Sequence, residues 1–347
     1  MKPRVPSLDT PRRRTATTAV APTLCLGSLL LLACGPVKGS FGTGDLGGDS
    51  GGSASEVPLP AVTPIPYGFW GLNGFVSAEG LAELRDRFGL THFHTATRHP
   101  EYGVEELLPM VRESGLRVNL RLVGDHAFYT NHEGDFDIEA WKAMLDPWAG
   151  SGVQDFIDDG TLATHMLLDD IDQFDGEGPT AAELDELARY SEELLPGLPV
   201  LVRANADDLP VPEGGRYTHL DASVNQYLSQ EGSVEGYAQA QEAAAASLGV
   251  GLIMGLNMAN GGDGSSGQPG WEEGRYAMSA EEIVRYGDVL SATPGCSMFL
   301  NWEYDAEERW ADGSLGSDYF DQPEVQAALH RLGQRLAGET GGADTGG

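Results

Sequence analysis

The sequence predicts an α/β fold, a single-domain (β/α)8 TIM barrel occupying residues 61–338. Three observations predict it. Short apolar runs alternate with longer amphipathic ones along this stretch, the pattern of strands each followed by a helix and of a parallel sheet. The count of units is eight, the number that closes a barrel. No Gly-x-Gly-x-x-Gly follows the first strand, which removes the nucleotide-binding form of the competing doubly wound sheet.

The first strand is expected at Tyr67–Leu72, with a helix capped by Ser77 behind it. The second is Thr91–Ala96, and its helix runs to Ser114, where Gly115 stops it. The third is Arg117–Val123, followed by helical periodicity over Ile138–Leu145 and Val153–Ile157. The fourth, His165–Leu168, ends in Asp169-Asp170-Ile171-Asp172. Thr180-Ala181-Ala182-Glu183 then reads as a capping box opening a helix to Leu195. The fifth and sixth strands are Pro199–Ala204 and Leu220–Tyr227, the latter followed by an alanine-rich helix that Gly249 ends. The seventh is Val250–Leu256, with a Gly-rich loop and a helix over Ser279–Leu290. Met298–Glu303 is the eighth, and the last helix, Pro323–Leu336, carries proline in its first turn.

The chain ahead of the barrel has a different character. Lys2, Arg4, Arg12, Arg13 and Arg14 precede an apolar stretch from Ala19 to Ala33, too short to span a bilayer and matched to a signal peptide. It ends in Leu31-Leu32-Ala33-Cys34, which resembles the bacterial lipobox. That resemblance implies cleavage after residue 33 and lipidation of Cys34, hence an exported protein of the cell envelope held to a membrane by its lipid. Residues 34–60, rich in Gly, Ser, Asp and Pro, read as a flexible tether, and 339–347 as a disordered tail. Cys25 and Cys34 fall in the leader, so Cys296 is the one cysteine of the folded region. It lies in an apolar run and is expected to pack as a small hydrophobe.

The 347 residues are 41% hydrophobic, enough for a core, and carry a formal net charge of −32. That charge argues against nucleic acid and against an anionic membrane surface as partners, since both would be repelled. No Cys/His cluster has zinc spacing. Asp170–Gly176 resembles a calcium loop only in part, because its third Asp and its Gly each come one position late and no closing Glu follows. The expectation is therefore no metal and no cofactor.

In a barrel of this kind chemistry sits at the C-terminal ends of the strands. Asp169 and Asp170 end the apolar fourth strand, where burial and mutual repulsion raise one carboxyl pKa. Glu303 ends the eighth, between Trp302 and Tyr304. These three carboxyls are the catalytic candidates. Strand alternation puts Asn301 and Glu303 on one face and Trp302 and Tyr304 on the other unless the strand bends. Arg121 and Arg203, inside apolar strands, need partners. Either they pair with the carboxylates of the mouth, or they bind a ligand carboxylate such as that of a uronic acid. Trp70, Arg98, Tyr227, Asn257 and Trp302 complete the expected substrate-binding set. Asn260–Gly264 reads as a loop at the mouth, either a lid or an ordinary long connection.

The order of units from Tyr67 to Leu336 resembles the (β/α)8 glycoside hydrolases and uncharacterised bacterial lipoproteins of that architecture. The resemblance implies a glycan ligand and carboxylate acid–base catalysis, with Asp170 as general acid and Glu303 or Asp169 as base or nucleophile. The departure is at the seventh strand, where the large retaining group carries Glu and this chain carries Asn257. That absence keeps a non-catalytic glycan-binding or structural envelope lipoprotein open as the alternative. Widely separated carboxyls would imply an inverting outcome.

Overall fold

The structure is a computed structural model that describes residues 64–71, 77–305 and 307–338. The chain divides into two units, Met1–Val57 and Pro58–Gly347. The expected signal peptide, lipidated Cys34, the whole tether, Leu72 and the tail lie outside the described residues.

Eight parallel strands close on themselves in the order β1 to β8. In sequence the elements are β1 (Tyr67–Phe69), α1 (Ala78–Phe88), β2 (His92–Ala96) and α2 (Pro100–Tyr102). One π turn over Gly103–Leu107 leads into α3 (Leu108–Ser114), then β3 (Arg117–Arg121), α4 (Ile138–Leu145), α5 (Gln154–Asp158) and β4 (Leu162–Asp169). There follow α6 (Ala181–Leu194), β5 (Val200–Arg203), β6 (Ala222–Tyr227), α7 (Val234–Leu248), β7 (Gly251–Leu256) and α8 (Ala280–Ser291). The chain closes with β8 (Cys296–Asn301), α9 (Gly316–Phe320) and α10 (Pro323–Leu336).

The caps follow the expected chemistry. The Ser77 side chain accepts the Gly80 N–H, and capping boxes form at Thr180/Glu183 and Ser279/Glu282. Each satisfies backbone donors that a helix start leaves open. Two expectations need correction. No α-helix lies between β5 and β6 (204–221), so this unit of the eight lacks its helix. Strands β3 and β8 also end two residues earlier than the apolar pattern implied. Apolarity at Leu122 and Val123 reflects burial beyond the ladder; both are fully buried.

Two apolar layers result. The larger packs strands against helices. A second fills the barrel itself with Trp70, Met166, Leu201, Ala222, Val224, Ile253, Met298 and Leu300. Cys296, half-buried at the start of β8, packs against the outer layer. The Asn260–Gly264 loop is tied down. Gly262 N–H donates to the Tyr276 carbonyl at 2.8 Å and Gly261 N–H to that of Asn257 at 2.7 Å. A Cβ on Gly262 would meet the Ala277 carbonyl oxygen at 2.3 Å. In this structure it is a packed connection.

One irregularity controls the site. Met166 pairs with Leu201 but Leu168 pairs with Val202, so one extra residue of β4 is accommodated, which makes it a bulge. Strict alternation from Met166 would point Asp170 inward and Asp169 outward. The bulge resets the phase, so Asp169 pairs with Arg203 and shares its inward direction. The Leu167 carbonyl accepts the buried Trp141 indole N–H at 2.9 Å, and Trp148 does the same for Leu122 at 3.0 Å. Carbonyls that leave a ladder in an apolar layer need such donors.

Three buried histidines hold their neutral form. Burial pushes the pKa of His92 down to about 4, helped by Arg117, and those of His94 and His165 to about 3. The ring of His165 hydrogen-bonds Ser191 at 2.8 Å, tying β4 to α6. Folded values lie below the unfolded value of about 6.5. This stability is therefore complete above that pH and is lost as pH falls towards the folded values. We expect His165→Gln to lessen the pH slope of unfolding free energy, between about pH 6.5 and 3, by up to about 1.4 kcal/mol per pH unit. Urea denaturation over that range measures it, and an unchanged slope would refute the assignment.

Candidate active site

Above the inner apolar layer the barrel interior turns polar. The side chains come from the strands and their ends: Trp70 just past β1, His94 from β2, Arg121 from β3, Asp169 from β4, Arg203 from β5 and Gln226 from β6. Asp169 is the centre of this layer. One of its oxygens accepts Arg121 Nη1–H at 2.7 Å and the other accepts the Nε–H of Arg203. Arg121 also reaches Asp125 at 3.1 Å, and Arg203 reaches Gln226 Oε1 at 3.1 Å and the Asp170 carboxylate. Trp70 lies between His94, stacked at 3.7 Å between ring centroids, and the Arg203 guanidinium, 5.4 Å from its ring. Within the layer His94 Nδ1, Arg121 Nε and Gln226 Nε2 are buried without a hydrogen-bond partner.

The electrostatics separate the three expected carboxyls. Burial works against ionisation of Asp169, but the charges of Arg203 and Arg121 outweigh it and its pKa is lowered. Burial likewise disfavours the Arg203 charge, and Asp169 with Asp170 holds it on. Asp170 leaves the strand with φ +53° and bonds Arg203 and Gln173. Burial raises it to about 6, Arg203 opposes this, and Asp169 and Asp172 add to it. Glu303 is raised to about 9, by burial first and then by Glu308 and Asp305, with Asp169 contributing. It is therefore protonated at neutral pH, whereas Asp169 is firmly ionised.

Alternation fails at the end of β8. Trp302 forms a single bridge to Asn257 and packs on the inner layer. Tyr304 turns outward among Phe69, Phe88 and Phe320. Glu303 lies within electrostatic reach of Asp169 and Arg203. Its Oε2 would stand 2.6 Å from a Cβ on Gly71, a residue at φ +77°. Glycine there leaves both the backbone shape and the space that the carboxyl fills. The Trp302–Glu303 peptide is cis. Trp302 and Trp271 meet edge to face at 5.3 Å.

The other sequence candidates are distributed differently. Arg98 is exposed and lies 3.9 Å over the Phe128 ring, at the rim. Tyr227 is turned into the outer layer, packed on Tyr237 and Tyr286, with its hydroxyl on the Gly232 carbonyl at 2.7 Å. It stands apart from the cluster. The Asn257 side chain accepts the Asn260 N–H at 3.1 Å, closing its own turn. Trp70, 5% exposed, belongs to the floor of the layer. His94, Trp271 and Glu308 were not singled out from sequence. His94 and Gln226 carried a signal, since each is a polar residue within a strand. Trp271 and Glu308 sit on loops, where no periodicity points anywhere. Among the described residues no group of three or more His, Cys, Asp and Glu is placed to hold a metal ion.

Eight closed parallel strands with a charged and aromatic layer at their C-terminal ends define a (β/α)8 barrel. Among solved structures the barrel is similar to a beta-glucuronidase from an uncultured Clostridium sp., with TM-score 0.52 and 12% identity over 78% of this chain. The match covers 50% of that chain, so this protein spans half the length of that relative. It is also similar to a fungal beta-1,4-galactanase, with TM-score 0.52 and 13% identity over 77% of this chain and 99% of that one. At these identities the likeness is one of fold. No protein-family model matches the chain, and no curated protein is similar to it in sequence.

Removing the central carboxylate should unlock the layer. Asp169→Asn leaves two buried guanidiniums short of a partner, a defect costing about 3–5 kcal/mol. Denaturant unfolding measures it. A loss below about 1 kcal/mol would show that the clamp does not hold the mouth together.

Proposed function

We propose that this protein is a carbohydrate-active enzyme of the glycoside hydrolase type, acting on a glycan at the barrel mouth through Glu303 and Asp170. The observation that carries the reading is Glu303, a half-buried carboxyl kept protonated beside Trp302 at the end of a barrel strand. A carboxylic acid with a raised pKa is what protonation of a departing glycosidic oxygen requires. Asp170, raised only to about 6, is ionised at neutral pH and takes the proton of the attacking water. The C–O bond breaks as that water oxygen bonds to the sugar carbon. Strands β4 and β8 lie four apart in either direction round an eight-stranded barrel, so the two carboxyls rise from opposite sides of the mouth. Room for a water between them favours the inverting course.

This proposal exchanges the roles expected from sequence, because burial and like charges raise Glu303 further than Asp170. It also gives Asp169 a structural part, with both oxygens held by guanidiniums. Apart from the buried Nε of Arg121, which no ligand reaches, the donors of Arg121 and Arg203 that have partners are directed at Asp169, Asp170, Asp125 and Gln226. That favours recognition of neutral sugar hydroxyls over a ligand carboxylate. The half-buried Trp302 supplies the aromatic surface on which a sugar ring packs.

One observation favours a second reading. Asp170 is itself engaged by Arg203 and Gln173, and the end of β7 carries Asn257 where an acid would complete a retaining pair. A protein that captures glycans without cleaving them would need no free base. For either reading we propose an exported envelope lipoprotein, joined to a membrane through the lipid on Cys34 alone, with nucleic acid set aside as a partner by the −32 charge.

The full-length protein should release reducing ends from at least one member of a panel of polysaccharides and oligosaccharides. Glu303→Gln and Asp170→Asn should each lower kcat by roughly 10²–10⁴-fold. The pH profile should fall below about 6 as Asp170 takes a proton and above about 9 as Glu303 loses one. Glycan binding with no release over long incubation supports the capture reading instead. Cys34→Ser should abolish incorporation of labelled fatty acid and free the protein from the membrane fraction. Unchanged labelling would remove the lipoprotein assignment.

A further inference from the structure

Glu303 does not stand alone at the end of β8. Past it the chain turns on Asp305, whose Oδ1 accepts the backbone N–H groups of Glu307 and Glu308 at 3.0 and 3.1 Å. The turn returns the Glu308 carboxyl to Glu303, and the two side chains hydrogen-bond. Glu308 also accepts a side-chain hydrogen bond from Trp271, on the loop between β7 and α8. The arrangement is braced on both sides. The Glu308 carbonyl accepts the Gly316 N–H at 2.9 Å, and the Ala311 N–H crosses to the Gly270 carbonyl at 3.2 Å.

Two carboxyl groups can hydrogen-bond to each other only if one of them carries a proton, because an ionised carboxylate is an acceptor alone. The indole N–H is a donor alone, so it favours the ionised form of Glu308 and leaves the proton with Glu303. We propose that Glu308 is a positioning residue for Glu303: the two carboxyls share one proton across the β7 and β8 loops, and Trp271 decides which of them carries it. The catalytic meaning of this pair rests on the reading of Glu303 as the acid of the site; the shared proton does not.

The surroundings agree. Asp305 and Glu308 face Glu303 from its own loop, Asp169 from β4 and Arg203 from β5. Arg203 is the one cation among these, and it is engaged by Asp169 and Asp170. Burial and Asp305 also push Glu308 up, while its bonds from Glu303 and Trp271 hold it down. A second negative charge in the pair would have no cation of its own, which is why one proton stays.

Carboxyl ¹³C NMR of the full-length protein labelled at glutamate tests this without a substrate, with Glu303→Gln and Glu308→Gln assigning the two signals. In the wild type both signals should respond to both steps of a coupled titration. In Glu308→Gln the Glu303 signal should titrate in one step, about one pH unit or more lower, a proton affinity weaker by about tenfold. Trp271→Phe, which keeps the aromatic packing and loses the donor, should raise the lower step. An unmoved Glu303 step in Glu308→Gln overturns the shared proton, and an unmoved lower step in Trp271→Phe overturns the role of the indole. On a glycan that the protein cleaves, Glu308→Gln should shift the basic limb of the pH profile to lower pH. A kcat reduced at every pH with that limb unmoved would show a merely structural role. If no glycan is cleaved the hydrolase reading fails, while the titration still decides the pair.

Discussion

The mouth of this barrel depends on a largely buried carboxylate held by two guanidiniums. Asp169 bridges Arg121 of β3 and Arg203 of β5, so three neighbouring strand ends are joined by charge as well as by their ladder. Such a cluster is stable only when complete, because each ion has lost its hydration and its partner must replace it. The β4 bulge makes the cluster possible, since without that extra residue Asp169 would face the outer apolar layer. At the bulge the Leu167 carbonyl accepts the Trp141 indole N–H in the outer layer.

From this clamp follows the division of labour among the acids. Asp169 is committed to its arginines and stays ionised. Asp170, one residue on and already out of the strand, shares Arg203 and is left near the point where a carboxyl changes state in mildly acidic water. Glu303, on the far side of the ring, has acids for neighbours on its own loop and no cation to itself, so it keeps its proton. Three carboxyls in one layer thus present three different protonation behaviours, each set by what it touches. The proposed acid–base reading rests on this separation, since the fold alone does not carry a function.

The parts of the fold that obey a period were legible before the structure. All eight strands, the Ser77 and Thr180 caps and the proline start of α10 follow from short apolar runs, amphipathic spacing and local hydrogen-bonding chemistry. That Arg121 and Arg203 need a counter-charge was legible, because a charge in an apolar strand must find one. The choice between mouth carboxylates and a ligand carboxylate stayed open until the structure placed Asp169 between them. Tyr227 shows the limit. Its position at a strand end is correct, but its ring is turned to Tyr237 and Tyr286. A strand buried on both faces gives no polar and apolar alternation from which to read direction. Glu308 and Trp271 were out of reach for a different reason, since their meeting requires two loops to cross.

Local pattern, then, was sufficient for the closed ring of eight strands and for the choice of the fourth and eighth strand ends as the places where carboxyls gather. Those features depend on residues near each other in sequence. Which of Asp169 and Asp170 faces inward, which acid carries a proton at neutral pH and what stands beside Glu303 were decided by the tertiary structure. Each depends on groups brought together from separate strands and loops, through a one-residue slip in register and through burial. Neither the slip nor the burial leaves a trace in the linear order of side chains.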